Sequence, residues 1–199
     1  MNNFILRFKE LIFSYGKKWD KLAASKSNLE EYVKENLNEE PEKFYNNNRL
    51  KPTFERSIAK DSGDIFNNML YMTATHNDDY NSDELNYYIE AIRKYTTKND
   101  IVVYRGVKEF VMQSTIKEAI NKNCDLYDVA FMSTSLFKSE ERIYPYYLRI
   151  YIPKGTCAYY VGDASDEGDN YEVLVQKGAR LKIVSKDKVY YNCILLGTD

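Results

Sequence analysis

Hydrophobic positions recur at helical spacing through the first half of the chain and at strand spacing through the second. Phe4, Ile5, Phe8, Leu11 and Ile12 share one face of an amphipathic helix, and residues 28–37 (NLEEYVKENL) form a second. The pattern weakens over 40–60, with a break near Pro52, and returns over 63–75, where Ile65, Met69 and Met72 make an inner face. The clearest helix is expected over 82–96: Leu85, Tyr88, Ile89 and Ile92 align, and Asn81 with Glu84 forms an N-terminal cap. After Asp100 the period shortens. Strands are expected over 101–107 (IVVYRGV), 129–135 (VAFMSTS), 147–153 (YLRIYIP), around 157–161, and over 171–176, 179–184 and 189–196, with one more helix over 113–121. Pro153, Gly155, Gly162, Gly168 and Gly178 punctuate them. The pattern predicts a single α+β domain over 1–199, mainly helical over 1–97, with a largely antiparallel β core over 100–196.

Composition narrows the partners. The 199 residues suit one domain able to bury a core without staples. Lys and Arg number 28 against 30 Asp and Glu, so no strong nucleic-acid binding by phosphate neutralisation is expected, although nucleic acid stays open as a transient acceptor. Three scattered cysteines (Cys124, Cys157, Cys193) and one histidine (His76) supply neither a disulfide framework nor a metal site, so no metal is expected. Arg7, Lys9 and Glu10 interrupt the apolar N-terminal stretch, and no uncharged run is long enough for a signal-peptide core or a membrane span. The expectation is a protein acting in a cytoplasm, its own or a host's reached by another route.

No GxGxxG, GxxxxGK, HExxH or GxSxG motif is present. Three other features stand out. Tyr104-Arg105-Gly106 ends an apolar strand, where a guanidinium needs a partner or a bound anion. In Ser133-Thr134-Ser135, alternation puts Ser133 and Ser135 on one face with Phe131, and Thr134 on the other. Asn170-Tyr171-Glu172 opens the apolar run Val173-Leu174-Val175, after a loop carrying Asp163, Asp166, Glu167 and Asp169. Each feature alone also reads blandly: a strand-end arginine reaching water, an edge-strand polar patch, a solvated acidic loop.

In this order, the three resemble the R-S-E signature of the mono-ADP-ribosyltransferases, in the branch of the actin-modifying binary toxins and the Rho-modifying clostridial exoenzymes. The likeness runs through YRG at 104–106, FMSTSL at 131–136, IPKGT at 152–156 and NYEVLVQKGARLKIV at 170–184. Over 1–99 it rests on helical character and Tyr71-Met72-Thr73. The resemblance implies helices packed on a two-sheet β core with an NAD⁺ cleft, and NAD⁺ as co-substrate. It implies that Arg105 holds the NAD⁺ phosphates, that the Gly106 backbone meets the nicotinamide amide, and that Ser133 aims Glu172. Glu172 would stabilise the positive charge that develops on the ribose, as a glycosidase carboxylate does. Thr134 belongs to the same binding motif, and Phe137 and Arg142 fall in the stretch that covers nicotinamide and phosphates in the family, at a spacing that departs from it. Acceptor recognition falls to Asn170, with Glu167 and Asp169 in reach. The family usually carries Glu or Gln at the Asn170 position; a neutral amide there predicts an acceptor other than arginine. The expected activity is transfer of ADP-ribose to a macromolecule, in the first place a protein, by a bacterial or phage toxin or effector. An NAD⁺ glycohydrolase and a catalytically inactive NAD-binding or interaction module are the alternatives. The 19 tyrosines are expected mostly in the core, while Tyr144, Tyr146, Tyr147, Tyr159 and Tyr160 surround the cleft.

Overall fold

The computed structural model describes residues 18–38, 86, 89–90, 92–138, 143–162 and 171–199. The helices expected over 4–12 and 63–75, Tyr71-Met72-Thr73, and residues 82–85, 87–88 and 91 of the helix expected over 82–96 lie outside these residues; Ile89 and Ile92 of the last are buried, as an inner face requires.

The N-terminal piece begins with two 3-10 turns, Trp19–Leu22 and Lys26–Asn28, and continues as helix α1, Leu29–Asn36. Ser25 and Asn28 close a capping box around the second turn. α1 is short, so its stability comes from docking. Val33 and the following Leu37 enter the main core. The carbonyls of its last turn are met from the segment ahead of the first strand: the Lys98 backbone N–H donates to Asn36, the Lys98 ammonium to Lys34, and the Asn99 amide to Glu35. These are the acceptors a helix end leaves open, and a cation there also suits the helix dipole.

Eight strands follow: β1 Ile101–Val107, β2 Leu126–Asp128, β3 Met132–Ser135, β4 Tyr146–Ile152, β5 Ala158–Gly162, β6 Glu172–Val175, β7 Ala179–Lys186 and β8 Tyr190–Gly197, with helix α2 (Glu109–Ala119) after β1. Their order is β2-β7-β8-β4-β1-β3-β6-β5. Every pairing is antiparallel except β4 with β8, so the sheet is mixed. The order is continuous, yet β1 and β3 share a single register pair, Tyr104 opposite Ser135. A broad five-strand part and a three-strand part therefore meet at a narrow joint, which is how the expected two-sheet core is realised.

β1 is buried on both faces, which explains its unbroken apolar run. Ile101, Val103 and Val107 enter the main core with Met132, Leu136, Val173 and Val175, while Val102 and Tyr104 enter a second cluster with Trp19, Tyr147, Tyr151 and Tyr190. The edge strand β5 is capped by one side chain: Asn38 donates to the Tyr160 carbonyl at 3.1 Å and accepts from the Tyr160 N–H at 2.6 Å, mimicking a further strand. In the β4–β5 turn Gly155 has φ +81°, and its N–H donates to the Thr97 carbonyl. A side chain would strain that conformation.

β1 and β4 through β8 fall within a residue or two of expectation. β3 starts three residues later than the apolar run suggests, because Val129 and Ala130 belong to the turn out of β2. β2, three residues long, is too short to leave a period and was not expected. α2 begins four residues ahead of its expected start, directly after Lys108.

Candidate active site

The pairing of β3 with β6 builds the centre. Ser135 lies opposite Glu172 and Ser133 opposite Leu174, so Ser133, Ser135 and Glu172 share one face, while Thr134, Val173 and Val175 turn to the other. On the first face the Ser133 hydroxyl donates to Glu172 Oε1 at 2.5 Å. A hydroxyl donor orients a carboxylate. On the other face the Thr134 hydroxyl, buried, donates to the Val173 carbonyl at 2.7 Å. Thr134 thus serves the core, away from the Ser133–Glu172 side.

Tyr171, one residue before Glu172, sits at φ +42°, unusual for a bulky side chain. Its carbonyl accepts from the Leu136 N–H at 3.1 Å, and its ring packs edge-on against Phe137 with centroids 4.7 Å apart. Those two contacts hold the strained turn that delivers Glu172 to the head of β6. Phe137 is half-buried against the main core and Tyr171.

Arg105 follows a different path. It lies opposite Leu148 of the main core, on the face of β1 that Tyr104 does not occupy. Its guanidinium forms a short ion pair with Asp128 of β2, at 13% and 3% side-chain exposure. Asp128 also accepts from the Ala130 N–H at 3.0 Å. The adjoining cavity, lined by Arg105, Asp128, Val111, Met112 and Met132 among others, is about 10 Å³, barely room for one water. The structure thus brings Ser133 to Glu172, and it turns Arg105 toward Asp128 on the opposite side of β1.

Gly106 lies under the Tyr144 ring: a Cβ there would come within 2.1 Å of Tyr144 Cδ2. The close approach that requires glycine is made by this ring. Tyr104, directly across from Ser135, extends the face of the Ser133–Glu172 pair into the tyrosine cluster. Burial pushes its phenol up to about 12 against the pull of Arg149, so the wall is neutral at ordinary pH. Tyr147, Tyr159 and Tyr160 are buried, in line with core packing. Arg142, Asn170, Glu167 and Asp169 lie outside the described residues. Among the described residues no group of three or more His, Cys, Asp or Glu side chains is placed to hold a metal. Sequence reasoning missed Asp128, which has no local signal because its partner is 23 positions away, and Tyr144, read only as one of a tyrosine cluster.

An acid held by a serine, beside a tyrosine-lined wall, suits stabilisation of positive charge on a sugar. Comparison with known proteins agrees. Residues 17–192 match the ADP-ribosyltransferase exoenzyme family, and the chain belongs to it. It is an NAD⁺-dependent mono-ADP-ribosyltransferase of the bacterial toxin type. Among solved structures, the Clostridium limosum C3 exoenzyme is 13% identical, with 74% of this chain and 86% of that chain covered and a TM-score of 0.52. C3stau2 from S. aureus, solved with NAD, is 18% identical over 75% of this chain and 89% of that one, at a TM-score of 0.51. The toxin Plx2a from Paenibacillus larvae is 18% identical over 74% and 88%, at 0.50. At these identities the likeness is one of fold. A search of curated protein sequences finds no match. No helix among the described residues is long and apolar enough to cross a membrane.

Proposed function

We propose that the protein breaks the nicotinamide–ribose bond of NAD⁺ with Glu172 stabilising the charge on the ribose and Ser133 positioning Glu172. It passes ADP-ribose to a protein side chain other than arginine, in a cytoplasm. The observation that carries this reading is the Ser133–Glu172 hydrogen bond, which fixes a carboxylate on the half-exposed face of β6. Nicotinamide leaves as a neutral group, so the step needs no general acid, which suits a chain whose one histidine is His76. The choice of acceptor rests on Asn170, whose amide lacks the charge to orient a guanidinium.

The test is nicotinamide release, together with transfer of labelled ADP-ribose from NAD⁺ to lysate proteins and mass-spectrometric location of the modified residue. Glu172→Gln is expected to lose both activities by at least about 10²–10³-fold. Ser133→Ala is expected to lose about 10–100-fold through kcat, from one charge-assisted hydrogen bond. Glu172→Gln with activity near wild type refutes the catalytic assignment. Arginine emerging as the favoured acceptor refutes the acceptor assignment.

A further inference from the structure

The dinucleotide of the proposed reaction carries a diphosphate, and among the described residues three cations stand near the site: Arg105, Lys138, and Arg149, which lies opposite Tyr104 but is buried and engaged by Asp187 and Asn192. Arg105 is nearly buried, and its partner Asp128 is more so. Drawing Arg105 away would break a nearly buried ion pair, an expensive outcome. Lys138, three residues beyond the end of β3, is the opposite case. Its ammonium stands 5.7 Å from the centroid of the Tyr104 ring and pairs with Asp20 of the first 3-10 turn at 2.9 Å. Both partners are about half exposed, at 44% and 51%, so the pair is worth little and is readily exchanged.

The register sets the distance. Glu172, Ser135 and Tyr104 lie directly opposite one another on three consecutive strands, β6, β3 and β1, and share one face. Two strand spacings put Tyr104 about 10 Å from Glu172 along that row. A carboxylate at one end would meet the ribose, and a cation at the other would lie where the diphosphate, a handful of bonds further along the dinucleotide, must pass. Lys138 stands at that end, over the neutral Tyr104 ring. We propose that Lys138 is a diphosphate-contacting residue of this site, held ready by Asp20, which it releases when the anion binds. Proton and covalent bookkeeping are unchanged: one ion pair replaces another.

This inference rests on the NAD⁺ reading above, and two variants of opposite expected sign test it. Isothermal titration of NAD⁺ into the full chain, with KM and kcat for nicotinamide release, is measured for wild type, Lys138→Ala, Lys138→Arg and Asp20→Asn. Both positions are exposed, so folding is not at stake. Lys138→Ala is expected to raise Kd and KM about tenfold with kcat within about twofold, and to flatten the salt dependence of binding. Lys138→Arg restores binding to within about threefold. Asp20→Asn, which frees the ammonium, is expected to tighten binding about two- to threefold. A merely structural pair would respond alike to loss of either partner. Both variants weakening NAD⁺ binding equally, or both staying within twofold of wild type, overturns the proposal. Wild type that neither binds nor cleaves NAD⁺ overturns the functional reading itself, and this proposal with it, by a distinct readout.

Discussion

Asp128 offers the sharpest quantitative test of how the strand bearing Arg105 is held. Its two carboxylate oxygens are committed, one to the Arg105 guanidinium and the other to the Ala130 N–H, and only 3% of its side chain is exposed. In Asp128→Ala the guanidinium stays where β1 puts it, since Arg105 lies opposite Leu148 with main-core residues on either side. Removing one member of a nearly buried ion pair costs about 3–5 kcal/mol. The orphaned N–H would by itself cost about 1–3 kcal/mol, but it shares that carboxylate, so the two are not summed. For a chain of this size the expected fall in Tm is roughly 6–20 °C. Denaturant unfolding followed by Trp19 fluorescence measures it, because Trp19 is fully buried against the second cluster and is the single tryptophan. A loss below about 1 kcal/mol would refute the reasoning, because the pair would then be behaving like an exposed one. The companion variant Arg105→Met with Asp128→Leu removes both charges and is expected to recover most of the loss. If the double variant is as unstable as Asp128→Ala alone, packing around β2 rather than charge carries the effect.

Gly106→Ala is expected to destabilise by about 1–3 kcal/mol, because the new methyl overlaps the body of the Tyr144 ring; adding Tyr144→Ala should restore most of that in the same unfolding assay. Asp187, at the β7–β8 turn, is pulled two ways: burial raises its carboxyl, but N–H donors from Tyr190 and Val189 and the nearby Arg149 outweigh it and hold the group below its ordinary value. A folded-state value below the unfolded one gives stability that is complete above the unfolded value, about pH 4, and is lost as pH falls through the folded value. Asp187→Asn should therefore show a shallower acid loss than wild type between about pH 4 and pH 2, and identical acid limbs would contradict the assignment.

Local patterning decided a good deal. IVVYRGV reads as an apolar strand, and β1 is that strand, which the structure buries on both faces with Val102 and Val103 in different clusters. Alternation in FMSTS separates Ser133 from Thr134, and the structure spends the two hydroxyls on opposite faces. The side-chain period of a strand is a property of the backbone, so it is written into any segment long enough to repeat. β2 is not long enough, and α2 starts in a stretch, Glu109-Phe110, whose exposed faces leave no stripe to read. Nor do single residues announce long-range partners. Nothing around Asn38 signals that its amide will close the edge of β5, 122 positions away.

The chain's own order of residues settled the fold class, through helix and strand periodicity, and its ordered motifs carried the family resemblance that implied the Ser133–Glu172 pair; the two residues, 39 positions apart, meet through the pairing of β3 with β6. Tertiary structure alone decided which partner each cation takes. Arg105 is drawn to Asp128 across one side of β1 and Lys138 to Asp20 across the other, since charge pairing depends on distance through space and on burial, and neither is encoded by spacing along the chain.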